Sequence, residues 1–173
     1  MRVLIMSDTH DNMDAVEKVA MVFKEKKCDS FIHCGDVNSA KMVQALKKAG
    51  LERGDFIQGN MDEKNLKELK EAITKSGFEF LGLNSEMKFG VKDGNPAVLT
   101  YITHGDNENS LKEAIDAKKF DFIFYGHTHK KSIKTEGKTT IINVGALSKD
   151  TPKEDRGVFI LDTITKKFEF VPI

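Results

Sequence analysis

Three short apolar runs, at residues 3–6, 31–34 and 55–58, are each followed by an amphipathic stretch, and this alternation constrains the fold more than any other feature. The first run, VLIM, is apolar at every position, the pattern of a strand buried on both faces. Asn12 heads a helix in which Met13, Val16, Ala20 and Phe23 recur at helical spacing. Ser39 heads a second helix with Met42, Val43 and Leu46, and Asp62 a third with Leu66, Leu69 and Ile73. Strands alternating with helices imply parallel pairing through crossover connections. Near residue 78 the style changes: FEFLG, SEMKFG and AVLTYITH are short runs separated by Gly, Asn and Pro, a more hairpin-like section interrupted by one helix at about 110–118. DFIFYG, KSIKTEG, TTIINVG, GVFILD and KKFEFVP supply further strands. That is more strand than a three-layer fold of this length needs, so the expected architecture is α/β, two packed sheets with helices outside.

The 173 residues amount to one domain, without repeats or linkers. With 39% hydrophobic and 31% charged residues, the chain is too apolar for disorder and too interrupted by charge for a membrane span. Its 27 basic residues balance its 27 acidic ones, and the lysines lie among acids on helices, so no strong nucleic-acid-binding signature is present. Cys28 and Cys34 flank a strand that would hold them about 20 Å apart, beyond disulfide reach. The start, MRVLIMSDTH, meets acids too soon to read as a signal peptide, and the expected compartment is the cytoplasm.

Four of the five histidines stand just past a predicted strand, in SDTHDN, YITHGDN and YGHTHK. Asp8, Asp36 in HCGDVN and Asn60 in QGNMD hold equivalent places. Strand carboxyl ends line the ligand crevice of α/β sheets, so polar groups from five strands can meet there. Imidazole with carboxylate and amide oxygen, and no thiolate, suits divalent ions such as Mn, Zn, Fe or Ni. Seven candidate ligands, Asp8, His10, Asp36, Asn60, His104, His127 and His129, are too many for one tetrahedral ion. Two ions about 3.5–4 Å apart with a shared carboxylate would use them. Singly, each segment reads as an ordinary turn or cap; it is the ordered set that points to metal. His33 sits inside a strand, where a core or supporting role is expected. Asp62 is either a helix cap or a partner behind the ligands.

With D-x-H at 8–10, G-D at 35–36, G-N at 59–60, H-G at 104–105 and G-H-T-H at 126–129, the sequence resembles the calcineurin-like metallophosphoesterase superfamily, in its small bacterial and archaeal phosphodiesterase branch. The resemblance implies one such domain over residues 1–173, folded as a four-layer α/β/β/α sandwich. It implies a dinuclear phosphoesterase, most simply a phosphodiesterase of small phosphoesters, attacking in line with a hydroxide shared by two divalent ions. Mn is the expected metal, with Ni, Zn, Fe or Mg as alternatives. Asp8, His10 and His129 would hold the first ion, Asn60, His104 and His127 the second, and Asp36 would bridge them. Asn60 and His127 would also position the phosphate.

Two departures bear on chemistry. Many relatives carry a leaving-group-protonating histidine after G-N; here the position is Met61, which favours diesters or good leaving groups. Asp106 replaces the second histidine of an H-G-H segment, which touches the first ion's ligand set. The same fold also serves as a protein-assembly scaffold in a retromer coat subunit, but all seven ligand positions are intact here. Any self-association is expected to be a homodimer, since most oligomers are symmetric.

Overall fold

The computed structural model describes residues 1–90 and 97–173. The Gly94–Asn95–Pro96 separator read from the sequence lies outside these residues. The first third runs β1 (Arg2–Met6), α1 (Met13–Glu25), β2 (Ser30–His33), α2 (Ala40–Lys48), β3 (Gly54–Ile57), a 3-10 helix (Met61–Asn65), α3 (Leu66–Lys75) and β4 (Glu79–Gly82). The remainder adds β5 (Asn84–Phe89), β6 (Val98–Thr103), α4 (Glu108–Asp116), β7 (Phe122–Tyr125), β8 (Ser132–Glu136), β9 (Thr139–Asn143), β10 (Gly157–Asp162) and β11 (Phe168–Pro172).

The strands form two sheets, β11-β10-β1-β2-β3-β4 and β5-β6-β7-β9-β8. In the first, β1 to β4 are parallel, and β10 and β11 extend it antiparallel. In β1, Leu4 and Met6 pack with Val16, Val19, Met42, Leu46 and Leu69 of the three helices. The alternate residues Val3 and Ile5 pack with Ile102, Phe124 and Ile142 of the second sheet. Burial on both faces explains why VLIM shows no polar alternation. Helix α4 covers the outer face of the second sheet, with Ala114, Leu111 and Ile115 against Tyr101, Ile123 and Ile141. The layers are therefore α/β/β/α.

Two readings of the pairing change. FEFLG does not open the hairpin section: β4 pairs parallel with β3 and closes the first sheet. The second sheet is only partly hairpin-like, because β6, β7 and β9 are parallel and only its outer strands β5 and β8 pair antiparallel. The α4 crossover returns the chain to run beside β6 in the same sense, and β8 turns back onto the far edge of β9.

At the end of β3 away from the site, Asp55 lies beside Glu79 of β4 in register. Burial, then the Glu79 charge, pushes its carboxyl up to about 6. A raised folded-state value in an acid means the folded chain holds a proton that the unfolded chain releases, so stability falls as pH rises from about 4 to 6. Asp55→Asn is expected to stabilise the protein at pH 7 by about 1 kcal/mol, the partial exposure of the carboxyl screening the rest. Urea melts across pH 4–8 check this: the gap between variant and wild type should close near pH 4.

Candidate metal centre

Parallel strands from both sheets end at one edge of the sandwich, and each departing loop delivers polar side chains: Asp8 and His10 after β1, Asp36 after β2, Asn60 after β3, His104 after β6, His127 and His129 after β7. These seven form an unbroken chain of contacts. Asp8 Oδ1 lies 3.6 Å from His10 Nε2 and 3.2 Å from His129 Nε2. Asp36 Oδ2 lies 3.6 Å from His10 Nε2 and 3.4 Å from His104 Nε2. Asn60 Oδ1 is 3.0 Å from His104 Nε2 and 3.2 Å from His127 Nδ1. Among the described residues, two donor groups could hold a metal ion: Asp8 with His10 and His129, and Asp8 with Asp36 and His104. The groups share Asp8, while Asp36 also faces a ring from each.

Each carboxylate at the centre commits one oxygen to a backbone amide. Asp8 Oδ2 accepts from His127 N at 3.0 Å, and Asp36 Oδ1 from Met61 N at 2.9 Å. The second oxygens face the imidazoles, and Asp8 Oδ1 is buried with no hydrogen-bond partner. A bare anionic oxygen costs free energy in such a place unless a cation meets it, so the donor set fits a metal ion. Burial opposes the Asp8 charge, yet His10 and His129 outweigh it and hold the carboxyl well below the usual range. Burial likewise opposes a charged His104, and the Asp36 and Asp8 carboxylates raise it instead to about 9.

The backbone is strained where the donors sit. Asp8, His10, Asp36, His127 and His129 have φ of 51°, 41°, 57°, 65° and 58°, a region that L-residues occupy at a cost of about 1–3 kcal/mol each. Such conformations persist only when surroundings over-determine them. Here Asp8 N donates to Gly35 O, His10 N to Asp36 O, and Leu147 N to Asp8 O. Two glycines allow the loops to close up. A Cβ on Gly59 would meet Asp36 Oδ1 at 2.1 Å, and one on Gly126 would meet Ser7 Oγ at 2.0 Å and Asp8 Oδ2 at 2.3 Å.

Behind the donors stands a supporting layer. His33, fully buried at the end of β2, accepts from Gly35 N at Nδ1 (3.3 Å). Its Nε2 therefore carries the proton and donates to Thr9 Oγ1 at 3.1 Å, tying the β1 loop to the β2 loop. Burial lowers its pKa to about 3, so the ring stays neutral. Asp62 is not a helix cap. Its carboxylate accepts from Asp36 N and Gly59 N at 2.9 Å each and from Asn38 N at 2.8 Å, stitching the G-D loop to the G-N loop. Burial pushes the Asp62 carboxyl up against the pull of those amides. Asn12 stands at the start of α1 but donates Nδ2 to Leu147 O at 2.7 Å and caps nothing with its side chain. Asp106 is exposed and belongs to neither donor group. Cys28 and Cys34 are free; Cys34 is buried, its thiol pushed up by burial, and its carbonyl accepts from His104 Nδ1 at 2.9 Å. Asn38 and Thr9 carried no distinguishing sequence signal, since their roles depend on which loops become neighbours.

The family model for the calcineurin-like phosphoesterase superfamily domain matches residues 1–166. The chain belongs to that superfamily. Within it, the chain is 28% identical over 149 residues to the phosphodiesterase MJ0936 of Methanocaldococcus jannaschii, covering 84% of this chain and 83% of that protein. It is 31% identical over 145 residues to the probable metallophosphoesterase MJ0623 of the same organism, covering 82% of this chain and 66% of that one. A solved structure described as a novel archaeal phosphodiesterase superposes with a TM-score of 0.83 at 25% identity, covering the whole of both chains. In a calcineurin-like phosphoesterase, two donor groups sharing a carboxylate make up a dinuclear metal centre for hydrolysis.

Proposed function

We propose that this calcineurin-like phosphoesterase is a cytoplasmic phosphodiesterase of small phosphoesters with two Mn²⁺ ions, residues 1–173 acting as one domain. The observation that carries the reading is the pair of carboxylate oxygens, Asp8 Oδ1 and Asp36 Oδ2, directed at imidazole nitrogens while their sister oxygens are held by backbone amides. Asp8, His10, His129 and Asp36 would hold one ion, and Asp36, Asn60, His104 and His127 the other. The chemistry that divalent ions supply when bound is Lewis acidity: water acidified toward neutral pH, and phosphate charge neutralised.

The chain's own residues supply orientation. The Cys34 carbonyl holds the proton of His104 on Nδ1 and turns Nε2 inward. Asn60 and His127 are exposed at the mouth, where Asn60 Nδ2 is free to donate to a phosphate oxygen of the substrate. Met61 offers its amide to Asp36 and an exposed, proton-free side chain to the leaving group. That combination favours esters whose leaving group departs without a protein acid, and the similarity to a phosphodiesterase is in keeping with it. No helix among the described residues is long and apolar enough to cross a membrane. The scaffold reading has no observation of its own, since both donor groups are complete.

Protein stripped with chelator is expected to regain hydrolysis of bis(p-nitrophenyl) phosphate on addition of Mn²⁺, and Asn60→Ala to lose about 10²–10³-fold of it. Wild type with metal demonstrably bound and no turnover of any phosphoester would sink the proposal.

A further inference from the structure

Asn38, two residues beyond Asp36, lies beside His10 on the side away from the donor cluster, with its amide nitrogen 3.1 Å from His10 Nδ1. Its backbone is tightly held: the residue adopts φ 72°, its N–H donates to Asp62 Oδ1, and its carbonyl accepts from Asn65 Nδ2 at 3.4 Å. Its side-chain oxygen, by contrast, is buried and has no partner. Among the described residues only the contact with His10 therefore orients this amide, and a half-turn about its terminal torsion exchanges Oδ1 and Nδ2 without breaking any other hydrogen bond to them.

The imidazole decides which atom belongs there. His10 directs Nε2 at Asp8 and Asp36, and a neutral ring that offers Nε2 as a lone pair carries its proton on Nδ1. An amide nitrogen facing Nδ1 would set donor against donor, whereas the amide oxygen accepts that proton. We infer that Asn38 is a positioning residue of the first metal site: with its amide turned so that Oδ1 accepts from His10 Nδ1–H, it fixes the His10 tautomer with Nε2 free for the ion. The inference rests on His10 being a ligand, as proposed above. It also accounts for a strained Asn whose backbone is anchored by Asp62, because that anchor delivers the acceptor to the ring.

Asn38→Gly and Asn38→Asp both tolerate a positive φ and separate the possibilities. Gly removes the acceptor; Asp keeps an acceptor and removes the donor. Calorimetric titration of the chelator-stripped proteins with Mn²⁺ should show one of two sites weakened about 10–100-fold in Asn38→Gly, and neither weakened in Asn38→Asp. In the Zn²⁺-loaded protein, ¹⁵N-resolved imidazole spectra should show a protected His10 Nδ1–H that exchanges rapidly in Asn38→Gly. Metal binding by Asn38→Gly equal to wild type, or by Asn38→Asp weaker than by Asn38→Gly, overturns this inference alone. Wild type that binds no divalent metal overturns the phosphodiesterase reading and this inference together.

Discussion

Asp36→Asn is expected to lower Mn²⁺-supported diester hydrolysis by about 10³-fold or more while leaving the chain folded. The substitution is nearly isosteric, and its amide oxygen can still accept from Met61 N in place of Oδ1, which holds that amide at 2.9 Å. What changes is the atom facing inward. Oδ2 lies 3.6 Å from His10 Nε2 and 3.4 Å from His104 Nε2, so it joins the rings delivered by the two sheets. An NH₂ group there presents protons where an anion stood, so the group of Asp8, Asp36 and His104 loses a member and the proposed pair of ions loses the carboxylate that would bridge it. Turnover of bis(p-nitrophenyl) phosphate, with Mn²⁺ stoichiometry from titration and circular dichroism to confirm the fold, is the measurement. A variant that keeps wild-type turnover would remove Asp36 from the centre.

Asp62→Ala should be the most destabilising change near the site that leaves every proposed ligand in place, at about 3 kcal/mol or more. The Asp62 side chain is fully buried and meets three backbone amides at 2.8–2.9 Å. Each buried N–H left without an acceptor costs about 1–3 kcal/mol, offset in part where water enters the space vacated. The urea midpoint is expected to fall by about 1–2 M. Because those amides belong to Asp36, Asn38 and Gly59, metal affinity should fall with stability. An unchanged midpoint would mean that the loops are held by other means, such as the Met61 amide donating to Asp36 Oδ1.

Much of the site was legible because its signals are local. Each donor segment combines a short apolar run with a polar residue just past its end, and the rule that strand carboxyl ends face the crevice turns five such segments into one cluster. The glycines beside Asn60 and His127 belong to the same local grammar, since a Cβ at either would occupy space taken by Asp36 or Asp8. Asp62 reads two ways in the sequence, as a cap or as a partner behind the ligands, because a carboxylate before an apolar periodic stretch looks the same whether it serves its own helix or the amides of other loops.

What the sequence by itself determined is the set of elements and their chemistry: buried strands at β1, β2 and β3, the helices between them, and which residue types stand at the strand ends. These follow from side-chain periodicity and turn chemistry, which act over a few residues. Only the tertiary structure decided that β4 joins the first sheet, that β7 and β9 run parallel, which oxygen of Asp8 is left bare, and that Asp62, His33 and Asn38 stand behind the donors. Each of those depends on pairing between segments far apart in the chain, and the hydrogen-bond partners that a loop will meet are not encoded in its own neighbours.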